Sequence, residues 1–156
     1  VADSLFETLQ ATAFAKSIAE SVMLTAVFSA AHLLGFTLLM GSVLVSALRQ
    51  LGAVLTERPA IETTRAADRG VLIGLTISVL TGLSLFSGRA PAAAANEIFQ
   101  LKMLLLVSAA LFHFLVFRRV PARAGLSRLL LRLNGAASLA LWGAVALAGC
   151  AYILLE

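Results

Sequence analysis

Apolar residues in this chain gather into four near-continuous runs rather than into periodic faces. The runs cover residues 22–48, 70–88, 98–117 and 133–155. Crossing the hydrocarbon of a bilayer as a helix takes roughly 20 residues, and each run meets that length. Backbone groups in lipid must find partners within their own segment, so runs of this kind predict helices. Barrel strands would be shorter and would alternate polar with apolar. Residues 2–20 differ. Phe6, Leu9, Phe14 and Ile18 recur mostly at three- to five-residue intervals among Asp3, Glu7, Lys16 and Glu20. That pattern predicts an amphipathic helix on the membrane surface, the alternative being a frayed polar leader. The expected fold is all-α: an integral membrane, antiparallel four-helix bundle with an N-terminal interfacial helix, one domain over residues 1–156.

The connections punctuate the runs. Residues 49–69 carry four arginines and three acids, and Pro59 is suited to open a helical stretch in which Glu62 and Arg65 can pair. Residues 89–96 form a short link, as an antiparallel pair needs. Residues 118–132 hold five arginines and no acid, either to bind anionic head groups or only to set topology. Gly70, Gly74, Ser78 and Gly82 recur every four residues in the second run, as do Ala136, Ala140, Ala144 and Ala148 in the fourth. Such faces let helices approach closely, or leave room for a flat cofactor.

Composition sharpens this picture. The chain is 60% hydrophobic and 13% charged, where soluble domains have about a quarter charged residues. A net charge of +4 suggests nucleic acid, but its distribution excludes that partner. Arg49, Arg58, Arg65, Arg69, Arg118, Arg119, Arg123, Arg128 and Arg132 follow the first and third runs, while Lys16, Arg89 and Lys102 lie toward the other side. The positive-inside bias then puts those two connections in the cytoplasm and both termini outside. Cys150 is the single cysteine, so no internal disulfide is possible. Residues 22–48 are too long for a signal-peptide core, so no cleaved signal is expected.

Nucleophile triads, paired carboxylates and phosphate loops are missing from the sequence, and no acid falls inside a run. The chemistry narrows to His32 and His113, since imidazole ligates haem iron and copper. Depth separates them. His32 lies 17 residues from Arg49, and His113 lies 5 residues from Arg118 at the same surface. At the helical rise these are about 25 Å and about 8 Å, too different for two ligands of one iron. His32 needs another partner: Met103 at a similar depth, or His32 of a second copy. Otherwise each histidine bonds to a serine, threonine or main-chain carbonyl of a neighbouring helix. Trp142, deep in the fourth run, needs a partner for its indole N–H. Lys102 can snorkel outward, and Tyr152 fits the outer aromatic belt.

These residues resemble an uncharacterised bacterial family of small four-helix membrane proteins, almost from end to end. The likeness rests on Phe6-Glu7 with Leu9 and Thr12, His32-Leu33-Leu34-Gly35 followed by Gly41-Ser42, and Leu48-Arg49-Gln50-Leu51-Gly52. It continues through Thr81-Gly82-Leu83, Phe99-Gln100-Leu101-Lys102-Met103-Leu104-Leu105, and Ser138-Leu139-Ala140-Leu141-Trp142 before Gly149. The family is distantly similar to copper-resistance membrane proteins and b-type cytochromes, and implies a bacterial inner membrane. Three positions depart from its pattern: Ala47 where it has Asp, Cys150 where it has Arg, and His113 where Asn is common. The last favours His32 as the ligand.

Two functions are expected. One is a non-catalytic accessory subunit of a larger membrane complex of redox type, packed against other membrane subunits or a second copy. The other is an electron-transfer protein with haem b or another tetrapyrrole on His32, walled by Gly35, Gly41 and Trp142, and with His113 as a further metal-capable residue.

Overall fold

The computed structural model describes residues 2–123 and 125–155, with side chains from residue 4 onward; Asp3 of the leader and the two ends of the expected 1–156 domain lie outside those described side chains. Seven α-helices and no strand occur among the described residues. The leader forms two short helices, α1 (Ala2–Gln10) and α2 (Ala13–Glu20), rather than the single helix expected. Thr12 makes the break. Its hydroxyl donates to Leu9 O (2.8 Å) and accepts the Ala15 N–H, so it closes one helix and caps the next.

Four long apolar helical segments follow. Helix α3 (Val22–Leu51) starts at the Ser21 cap and stops at Gly52, whose φ of 81° suits a left-handed helix terminus. Helix α4 (Ala60–Ser87) begins directly after Pro59, ten residues before the apolar run. Hydropathy bounds a membrane span, not a helix, and Glu62, Arg65 and Asp68 are helix-compatible. After the short α5 (Ala90–Ala95), Asn96 caps α6 (Glu97–Phe112), which continues as a π turn over His113–Phe117. Helix α7 (Arg128–Leu154) starts at the Ser127 cap. All four segments are long and apolar enough to cross a membrane.

The long helices pair antiparallel. Helix α3 packs most extensively on α4, and α7 packs on both α3 and α6. Close approach depends on missing side chains. A Cβ on Gly74 would stand 2.6 Å from Gly35 O, and one on Gly135 would stand 2.8 Å from Ala47 O. The shared core is Leu39, Val43, Val71, Ala109, Trp142 and Val145.

The leader does more than rest on a surface. Ala15 and Ile18 are buried beside Gly88, and Gln10 donates to Gly88 O (3.2 Å). Phe6 meets Phe86 edge-on at 5.8 Å, Phe86 stacks on Phe99 at 5.3 Å, and Phe99 meets Tyr152 at 5.7 Å. This aromatic series ties α1 to one end of α4, α6 and α7.

Candidate functional site

His32 faces α4. In the tautomer with hydrogen on Nδ1, it donates to Ser78 O (2.8 Å), with the Thr81 hydroxyl oxygen at 3.2 Å. The Ser78 hydroxyl returns a bond of 3.5 Å to His32 O. Gly82 makes room for the ring: a Cβ there would lie 3.0 Å from His32 Cε1. Nδ1 is therefore satisfied within the helix pair, and the ring orientation leaves Nε2 as the lone-pair nitrogen. A main-chain carbonyl on one ring nitrogen is the usual way a ligating imidazole is oriented.

The residues expected to wall a cofactor do not gather round His32. Gly35 lies in the α3–α4 crossing, where a Cβ would stand 2.7 Å from Ile77 Cγ2. Gly41 lines a groove at the other end of that helix pair, with Arg58 and Glu62. Trp142 is fully buried in the core and faces His113, with ring centroids 6.5 Å apart. The cause is helical phase. Gly41 lies nine residues from His32, about half a turn round α3, while Gly35 shares the α4-facing side with His32 and is closed over by Ile77. Among the described residues, no three His, Cys, Asp or Glu side chains form a cluster able to hold a metal ion.

His113 occupies a different environment from the one expected. Its ring is fully buried, stacked on Phe117 at 5.1 Å, and its Nε2 lies 3.3 Å from Asp68 Oδ1. Arg118 extends the group, with Nη1 3.9 Å from Asp68 Oδ2 and Nε donating to Phe114 O (3.2 Å). No acid falls inside a run, yet a carboxylate still reaches His113. Asp68 sits just before the apolar run begins, but α4 starts earlier and carries it to the level of His113. Nor is the partner of His113 a hydroxyl or main-chain oxygen. The two histidines bond to α4 at residues ten to thirteen apart, or about 15–20 Å along the helix, which agrees with their expected difference in depth.

Beside this triad lies a polar network that the pattern of runs did not disclose. The Asn134 amide donates to Gln50 Oε1 (2.6 Å) and to Phe117 O (3.0 Å), and Gln50 donates to the Thr64 hydroxyl (3.4 Å). Phe117 O is open because its α-helical donor would be residue 121, a proline without an N–H. The signals in sequence were Pro121 four residues after Phe117, and Asn134 at the second position of an apolar run. Asn134, Ser138 and Trp142 lie at i, i+4 and i+8 on the buried face of α7. Ser138 Oγ, Trp142 Nε1 and His113 Nδ1 have no hydrogen-bond partner among the described residues.

Comparison with known proteins adds one finding. A family model described as "Family of unknown function (DUF6644)" matches residues 6–154. No curated protein matches the chain. No solved structure matches it either.

Proposed function

The chain belongs to this family of unknown function, and from that premise we propose that it is an integral inner-membrane protein, a bundle of four antiparallel spans acting as a non-catalytic accessory subunit of a larger membrane complex. The reading is carried by the outer side of α7. Ala136, Ala140 and Leu147 are exposed there, and a Cβ on Gly143 would meet nothing within 4 Å. By contrast, the glycines of α4 are filled by α3. An open strip of small residues on α7 suits a partner helix, because in lipid association depends on close backbone approach rather than on hydrophobicity. The double variant Ala140→Leu, Gly143→Leu is expected to keep its helical content yet lose its co-purifying membrane subunits or its second copy. Wild-type protein that stays alone and monomeric in gentle detergent would overturn the reading.

A second reading is favoured by the tautomer of His32. With Nδ1–H given to Ser78 O, Nε2 is the nitrogen through which His32 would hold the iron of a haem b. Gly35 and Trp142 are engaged elsewhere, so the rest of the haem site would come from another chain. Bound haem would supply one-electron transfer. His32 would hold it, and Ser78 and Thr81 would fix the ring. A Soret band in the purified protein, lost in His32→Ala, is the expected result; a colourless protein purified with its partners from haem-replete cells would end this reading.

A further inference from the structure

One groove is used by neither reading. It lies between the C-terminal half of α3 and the start of α4, has a volume of about 470 Å³, and is lined mainly by apolar or small residues that include Leu38, Gly41, Val45 and Ala66. The connection between the helices shapes its mouth. Arg49 donates from Nε to Arg58 O (2.7 Å) and from Nη2 to Thr56 O (3.3 Å), folding residues 52–59 back toward the groove. Leu55, held at a φ of 50°, forms part of the rim.

Three polar side chains on this lining have no partner among the described residues. The Arg58 guanidinium and the Glu62 carboxylate stand at the mouth, exposed and without a hydrogen bond or ion pair. Thr63 also lines the groove; it is 7% exposed, and its hydroxyl is buried and unbonded. The lining thus combines an apolar trough along a proposed membrane span with a cation and an anion, not paired with each other, at its inner end.

We propose that this groove binds one phosphatidylethanolamine molecule. An acyl chain lies along Leu38, Gly41 and Val45. Arg58 holds the phosphodiester, and Glu62 accepts from the primary ammonium. Glu62 decides between lipid classes. A head group with only negative charge would meet this carboxylate, whereas a zwitterionic one matches both charges. The acid-free connection 118–132 has the opposite character and suits anionic lipid. The assignment rests on the membrane reading above.

Native mass spectrometry of the detergent-purified chain, titrated separately with phosphatidylethanolamine, phosphatidylglycerol and phosphatidylcholine, tests it. One phosphatidylethanolamine per chain is expected, held about tenfold more tightly than phosphatidylcholine, whose quaternary ammonium has no N–H for Glu62. Arg58→Ala is expected to weaken binding about tenfold. Glu62→Gln is expected to remove the preference over phosphatidylglycerol. Gly41→Leu fills the trough from an open position and is expected to abolish binding while leaving the circular dichroism spectrum unchanged. Equal binding of the three lipids to wild type, or full binding by well-folded Gly41→Leu, would overturn the proposal. Flotation with liposomes separates the two ideas. A chain that inserts but binds no phosphatidylethanolamine loses the groove assignment alone, and one that fails to insert loses the membrane reading.

Discussion

At the scale of single residues, the informative contrast is between two imidazoles with different partners. His32 gives one nitrogen to a main-chain carbonyl, whereas His113 gives one to a carboxylate and is wholly enclosed. Removing Asp68 leaves both ring nitrogens of His113 without partners in a closed aromatic setting. Asp68→Ala is therefore expected to destabilise the folded protein by about 1–3 kcal/mol, the range for an orphaned buried polar group. Asp68→Asn keeps an acceptor oxygen and is expected to lose less. Reversible unfolding in mixed detergent measures both, and equal stability of wild type and Asp68→Ala would contradict this account. The sequence made the histidines conspicuous because they interrupt apolar runs. It hid Asp68, which sits among charged residues that look like an ordinary solvated loop until α4 is seen to include them.

At the scale of elements, two helices carry small-residue faces with opposite fates. The face of α4 is occupied: a Cβ on Gly74 would meet backbone atoms of α3 at 2.6 Å, which no rotamer change relieves. The middle of α7 is open at Gly143. Gly74→Ala is expected to cost about 1–3 kcal/mol through overpacking. Gly143→Ala is expected to be neutral or to stabilise the isolated chain by up to about 1 kcal/mol through helix propensity. Thermal unfolding of the two variants side by side checks the difference in sign. Periodicity alone could not rank these faces, because it records which residues share a side of a helix and not which side a neighbour takes. The π turn at His113–Phe117 was likewise hidden. Just after it, Pro121 withholds a donor from Phe117 O and Asn134 takes the freed carbonyl, a contact across 17 residues.

At the scale of the whole molecule, the arginine bias and the packing point the same way. The Arg-rich connections and the triad of Asp68, His113 and Arg118 lie toward one end, and the leader helices with their aromatic series close the other. In the proposed orientation the first end is cytoplasmic. Single cysteines placed in a Cys150→Ser background test this with a membrane-impermeant maleimide. Ala92→Cys, exposed in α5, is expected to react from the periplasmic side of intact cells, and Arg123→Cys only after the inner membrane is opened. The reverse pattern would invert the topology. The leader also packs against the helices that follow it, with Ala15 and Ile18 buried beside Gly88.

Run length and the placement of charge were sufficient to predict an all-helical chain with four long apolar segments, because both follow from local composition and the need to satisfy backbone groups within each segment. The separation of the two histidines along the helices also followed, since helical rise converts residue separation directly into distance. What lies beside each histidine did not. Those neighbours depend on helix phase and crossing, set by contacts such as Gly35 with Ile77, Gln50 with Asn134 and Asp68 with His113, each between residues more than 40 positions apart. Side-chain chemistry across such separations is decided when the helices pack, and only the tertiary structure records it.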